Sequence, residues 1–132
     1  MSDHRTGALI VLARESELQE YVETGEIIDA AITSELIKSI FFKNSPLHDG
    51  AMIIYLNRIK AARCILPLSQ KLEINPMLGL RHRAAIGLSE QTDAYVIVVS
   101  EETGHISLSG NGDLNENVPT DELFKVLELG YK

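Results

Sequence analysis

Two clusters of residues in this sequence are of the types that chemistry on an anion would need. The first is Arg81-His82-Arg83, which follows Gly79 and precedes Ala84, Ala85 and a helix-like run. A helix carries about half a positive charge at its N-terminus, so basic residues in its first turn are unfavourable unless something negative binds there. Free N–H groups at a helix start bind phosphate, and arginine supplies a planar fork that matches phosphate oxygens. The plain alternative is a solvated, basic helix start. Gly79 argues against it by freeing the backbone ahead of the triplet. So does Gly87, which inside a helix costs about 1 kcal/mol relative to alanine and therefore suggests a close backbone approach. Phosphate is the favoured ligand.

The second cluster is His48-Asp49-Gly50-Ala51. Asp-Gly is an ordinary turn signal. Here, however, Pro46 and a polar loop precede it where a hairpin would need a strand, so a two-residue hairpin does not fit. A carboxylate at a strand entry can accept a proton from a ribose hydroxyl or ligate a metal, while Gly50 and Ala51 let a nucleotide pass close to bare backbone. His48 could add an imidazole ligand. Glu101 and Glu102 read as solvated carboxylates at a hairpin tip, with Ser100 beside them able to donate to a phosphate. His4 and His105 read as surface residues.

The elements that must hold these residues follow from periodicity. Residues 7–13, GALIVLA, form a short, continuous apolar run expected of a buried strand. Ser16-x-x-Gln19 has the form of a capping box, opening a short helix with Leu18 and Val22 on one face and Gly25 as its stop. Residues 27–32 read as extended. Thr33 or Ser34 caps a second helix striped by Leu36, Ile37, Ile40 and Phe41, and Pro46 bars its continuation. Residues 51–55 and 59–66 read as a hairpin about a Leu56-Asn57-Arg58 turn. A helix from the arginine motif to about Thr92 comes next, then strands at 95–100 and 105–109 and a turn at GNGD. Thr120 caps a last helix bearing Leu123, Phe124 and Leu127.

The expected architecture is α/β: a mixed central β-sheet flanked by α-helices, its apolar strands needing cover on both faces. A chain of 132 residues is read as one domain, 1–132. Several function classes drop out. A net charge of −7 argues against broad nucleic-acid binding, which needs a basic surface to displace counterions. No apolar run reaches the roughly 18 residues of a membrane span, so no membrane contact is expected of this chain itself. There is no GxxxxGK[ST] loop, no GxGxxG after a strand, no Gly-x-Ser-x-Gly elbow and no paired-cysteine metal spacing. The single cysteine, Cys64, lies in the apolar run RCILPL and reads as a buried structural thiol in a reducing, cytosolic compartment.

DGA (residues 49–51) and RHRAA (residues 81–85) together resemble the two signature motifs of the diadenylate cyclases, the domain that makes cyclic di-AMP from two ATP. The likeness runs through GALIVL, PLHDGAMII, LPLS, LGLRHRAAIGLSEQTDA and VVSEETGHISL, roughly residues 7–108. The resemblance implies that Asp49 contacts and helps activate the ribose 3′-hydroxyl and that Arg81, His82 and Arg83 hold the triphosphate. It implies substrate contacts at Gly50, Ala51, Leu66 and Ser100, with backbone near Leu66 reading the adenine edge. It implies Mg²⁺ or Mn²⁺ held by His48, Asp49 and Glu102, and a face-to-face homodimer as the active species. The likeness is greatest to the catalytic piece of the membrane-anchored type, which leaves room for an N-terminal anchor outside this chain, with this domain on the cytoplasmic side. The alternative is a non-catalytic module that senses ATP or a cyclic nucleotide. Two positions depart from the family pattern: Leu80 where many members carry threonine, and Ile65 where some place an aromatic ring over the adenine.

Overall fold

Among the described residues the elements follow one another in the order β1 (Ala8–Leu12), α1 (Gln19–Val22), β2 (Glu26–Ala31), α2 (Ser34–Phe41), β3 (Ala51–Tyr55), β4 (Arg58–Cys64), α3 (Leu80–Gln91), β5 (Tyr95–Val99), β6 (Ile106–Gly110) and β7 (Asp113–Asn115). The computed structural model describes residues 7–42, 45, 47, 49–71, 79–101 and 103–122. The strands form a single mixed sheet in the order β2-β4-β3-β1-β5-β6-β7. Only β1 and β3 run parallel among the described strands; every other pairing is antiparallel.

The period of two along each strand divides the core between the two faces. Leu9 and Val11 of β1, Ala51 and Ile53 of β3, and Val96 and Val98 of β5 pack with Ala84, Ala85 and Leu88 of α3 and with Leu18 and Val22. Ala8, Leu12, Met52, Ile54 and Val99 point the other way, onto Ile40 and Phe41 of α2. Both faces are therefore covered, as the unbroken apolar runs require. Thr33 caps α2 as expected, its Oγ1 accepting from the Leu36 N–H at 3.1 Å.

Helix α3 is buried through a full turn and a half, from Ala84 to Ser89, because the 67–69 segment and the β6–β7 end of the sheet both pack against it. The Ser69 N–H donates to the Arg83 carbonyl at 3.0 Å. The Ser89 hydroxyl meets Ser109 Oγ at 2.8 Å and accepts from the Gly112 N–H at 3.1 Å. Lys71 Nζ reaches the Gly112 carbonyl at 2.6 Å. Gly87 makes this cover possible: a Cβ there would collide with the Pro67 carbonyl and stand 2.8 Å from the Ser69 nitrogen. The close backbone approach expected at Gly87 is thus present, and what approaches is the 67–69 segment.

Three local expectations are corrected. Ser16 does not form a capping box. Its Oγ accepts from the Leu18 N–H two residues on, at 3.3 Å, and the helix begins after a left-handed Leu18 with no side-chain cap. The hairpin turn is Leu56-Asn57 alone, with Arg58 already in β4, since positive φ at both residues (50° and 62°) makes the mirror-image two-residue turn that matches strand twist. The GNGD turn leads into a seventh strand, β7, which alternation over three residues is too short to reveal. Of the last helix expected, residues 120–122 are helical, while Leu123, Phe124 and Leu127 lie outside the described residues, as does Pro46.

Candidate active site

Sheet topology brings the candidate residues to one end of the sheet. Because β1 and β3 are parallel, Gly7 and Asp49-Gly50, which precede them, sit at the same edge. Because β4 and β5 run against them, Ile65-Leu66 and Ser100-Glu101, which follow those strands, return to that edge too. The first turn of α3 completes the ring. Together these segments enclose an open cleft of about 610 Å³, within the range of small-molecule sites. Of the expected site residues, Asp49, Gly50, Leu66, Arg81, His82 and Ser100 line it.

At Asp49 the chain enters β3 through Gly50, whose φ of +84° favours glycine. A Cβ at Gly50 would also stand 2.8 Å from the Cys64 carbonyl, so the residue keeps the strand entry tight against the end of β4. Asp49 is exposed and lines the cleft. Opposite, α3 starts after Gly79 with no side-chain cap and no acidic residue in its first turn. A helix start of this kind offers N–H groups and the positive end of its dipole to whatever occupies the cleft.

Arg81 is the cation aimed into this space. Its Nη1 lies 3.7 Å from Glu101 Oε1, across the end of the β1–β5 pair. Glu101, read from sequence as a solvated tip residue, is therefore an ion-pair partner inside the site. His82 is half-buried, and burial lowers its pKa below the ordinary histidine value; the Arg81 charge lowers it further, while Glu116 opposes the shift. Burial thus favours the neutral imidazole, which can serve as a hydrogen-bonding group without adding charge.

Arg83 does not line the cleft. Successive helical residues turn by about 100°, so Arg81 and Arg83 leave the helix about 160° apart. The triplet read as a single cradle is thus divided, with Arg81 and His82 in the cleft and the Arg83 carbonyl tied to the 67–69 segment. Ala51 is fully buried in β3 and offers a ligand no side-chain surface. His48 and Glu102, two of the three expected metal ligands, lie outside the described residues. Among the described residues no group of three histidine, cysteine, aspartate or glutamate side chains gathers.

The walls are apolar. Leu9, Val98 and Ala84 floor the cleft beside Leu66, and Ile65, Leu68 and Leu80 rim it with large side chains 69%, 45% and 70% exposed. A surface polar at one end and apolar at the other suits a ligand with a phosphate group and a flat apolar base. Cys64 lines the inner wall with 1% exposure, and burial raises its thiol pKa to about 11, so it stays protonated as a packing residue. Gly7 is the contributor that sequence reading missed: a Cβ there would stand 2.7 Å from Arg81 Nη1. The signal available was a glycine just ahead of an apolar strand, which alone does not announce a neighbouring guanidinium.

Comparison with known proteins gives concordant results. The chain matches, over residues 1–114, the DAC family described as DisA bacterial checkpoint controller nucleotide-binding. It is 47% identical over 132 residues to the cyclic di-AMP synthase CdaA of Bacillus subtilis (strain 168), a match covering 100% of this chain and 48% of that protein. It is 50% identical over 127 residues to a diadenylate cyclase of Listeria monocytogenes serotype 1/2a (strain 10403S), covering 96% of this chain and 46% of the relative. The chain thus spans about half the length of the curated relatives it matches. Its fold is similar to the crystal structure of a DacA double mutant from Staphylococcus aureus, with a TM-score of 0.97 and 46% identity over 99% of this chain and 87% of that one.

Proposed function

The chain belongs to the DAC family of nucleotide-binding domains, and from that premise we propose that it is a diadenylate cyclase, condensing two ATP into cyclic di-AMP with release of two pyrophosphates. The observation that carries the reading is the cleft itself, where an uncapped helix start bearing Arg81 faces an exposed Asp49. A sensor of nucleotides would need the cation and the helix start; the carboxylate is the part that suits a reaction.

In the proposed reaction the 3′-oxygen of one ATP attacks the α-phosphorus of the other. Asp49 accepts the hydroxyl proton, the new P–O bond forms, and the bond to the β-phosphate oxygen breaks to release pyrophosphate. A second, reciprocal transfer closes the ring. Arg81 and the N–H groups at the start of α3 neutralise the triphosphate, and this positioning and charge balance is most of what phosphoryl-type transfer asks of a protein. Neutral His82 donates a hydrogen bond to a phosphate oxygen, and Ser100 lies within the same cleft. The base rests among Leu66, Ile65 and Leu68, with the backbone near Leu66 reading its edge.

The donor set expected for a divalent ion, His48, Asp49 and Glu102, combines one imidazole with two carboxylates, which suits Mg²⁺ or Mn²⁺. Such an ion would supply charge neutralisation at the phosphates. Each 3′-hydroxyl must face the other nucleotide's α-phosphate, so the two clefts meet across a twofold axis and the active species is a homodimer. The exposed apolar rim of Ile65, Leu68 and Leu80 supports such a meeting of clefts. No helix among the described residues is long and apolar enough to cross a membrane. The full-length protein is proposed to be anchored by a segment outside this chain, with this domain on the cytoplasmic side.

Incubation of the purified chain with ATP and Mg²⁺ or Mn²⁺, followed by mass spectrometry, tests the proposal. Cyclic di-AMP and pyrophosphate are expected, with activity per molecule rising with protein concentration. ATP bound but unchanged under both metals would overturn the enzyme reading in favour of a sensing module.

A further inference from the structure

The geometry points to Gly7 as a positioning residue for Arg81, an inference that rests on the reading of the cleft as a triphosphate site. Strands β1 and β5 pair antiparallel with Ala8 opposite Val99, so the residue before β1 and the residues after β5 lie side by side. The Arg81 guanidinium occupies the space above them. A Cβ built on Gly7 would stand 2.7 Å from Nη1 and 2.9 Å from Cζ of Arg81, and 3.3 Å from Glu101 Cβ. No real Cβ tolerates the first two contacts, so the guanidinium lies where only a glycine leaves room.

Two contacts thus define the direction of a long, otherwise adaptable side chain. The bare main chain at Gly7 sets how deep the guanidinium sits. Glu101, at 3.7 Å, is the carboxylate that faces it. That ion pair is long and its Glu101 side chain is 53% exposed, so an incoming triphosphate displaces it easily. The steric floor at Gly7 persists when the ion pair is exchanged, and it holds Arg81 within reach of the phosphates beside the α3 N-terminus.

Gly7 lacks the positive φ that would make any side chain strained, so alanine fits its backbone, and the clashing atoms are the far end of a flexible side chain. Gly7→Ala therefore displaces Arg81 and leaves the sheet intact. The expected result is a rise in KM for ATP and a loss of kcat/KM of roughly tenfold or more, since small misplacements of charge-stabilising groups are costly. Melting temperature should stay within about 2 °C of the parent, since the severe contacts are with a side-chain tip and the 3.3 Å approach to Glu101 Cβ asks for a shift of only a few tenths of an ångström. In an Arg81→Ala background the same Gly7→Ala change should cost nothing further, because its effect is transmitted through the arginine. A ligand-free crystal structure of Gly7→Ala separates this inference from the functional reading. A guanidinium moved off residue 7, in a protein whose parent binds no ATP, would leave the positioning intact and sink the cyclase reading. An unmoved guanidinium, full activity in Gly7→Ala, or a loss that adds to that of Arg81→Ala would overturn the inference.

Discussion

Replacing Gly87 by alanine separates two arguments that predict opposite signs. Helix propensity alone makes the change stabilising by about 1 kcal/mol, because α3 is regular at this position and alanine is the better helix former. Packing says otherwise. The added Cβ would overlap the Pro67 carbonyl and approach Pro67 C and Ser69 N at 2.8 Å, and all three are main-chain atoms with no rotamer to escape into. Overpacking costs about 1 to 3 kcal/mol, and a clash with backbone belongs at the top of that range. Pushing the 67–69 segment outward also breaks the hydrogen bond from Ser69 N to the Arg83 carbonyl, worth about 1 kcal/mol, which offsets the propensity gain. The net is a loss of about 3 kcal/mol, or on the order of 10 °C in melting temperature for a domain of this size. Thermal unfolding of Gly87→Ala, followed by circular dichroism and differential scanning calorimetry, measures it. Leu66 and Leu68 flank the displaced proline and line the cleft, so ATP affinity should fall as well. A melting temperature equal to or above the parent's would refute the account of how α3 is covered.

Other outcomes follow from the cleft. Asp49→Asn should abolish cyclic di-AMP formation while leaving the melting temperature nearly unchanged, because Asp49 is exposed; retained turnover in a mass-spectrometric assay would remove it as the proton acceptor. Arg81→Ala should lower kcat/KM by about 10² or more, the loss typical for one charge-stabilising group. Arg83→Ala should cost much less, since Arg83 does not line the cleft; equal losses would contradict the division of the triplet. For His82, burial holds the folded-state pKa below the ordinary value of the unfolded chain, so the unfolded state binds the proton first. Its contribution is therefore complete above the unfolded pKa, about 6.5, and is lost as pH falls below it. The melting temperature of the parent should fall more steeply below pH 6.5 than that of His82→Gln; parallel curves would be the contrary result.

How much of this was legible in the sequence depended on whether the cause was local. The strands at GALIVL, AMIIY and YVIVV were readable because burial on both faces demands unbroken apolar runs, and Thr33 announced α2 because a cap acts over three residues. The resemblance carried by DGA and RHRAA brought Asp49, Arg81 and His82 to one site, and the sheet topology explains why they meet. Spacing could not disclose that Arg83 parts company with Arg81, although helical geometry contains the answer once α3 is known to start at Leu80. Ser16 misled because the same hydroxyl serves a turn or a cap, and the left-handed Leu18 beside it decides which. Gly7 and Glu101 were out of reach, for their importance comes from a neighbour some seventy residues away in one case and twenty in the other.

Strand β1 has a further consequence for how the molecule comes into being. Val11 sits between Ile53 and Val96, so β1, in the middle of the sheet, gains its second neighbour only after β2, β3 and β4 have been made. Until β5 has emerged, an apolar ribbon is left with an unsatisfied edge, a state prone to sticking to other nascent chains. Pairings across so much intervening sequence also slow the search for the native arrangement. Folding of this domain should therefore depend on chaperone occupancy of β1, and a translational pause placed before β5 should lower the yield of folded domain more than one placed after it.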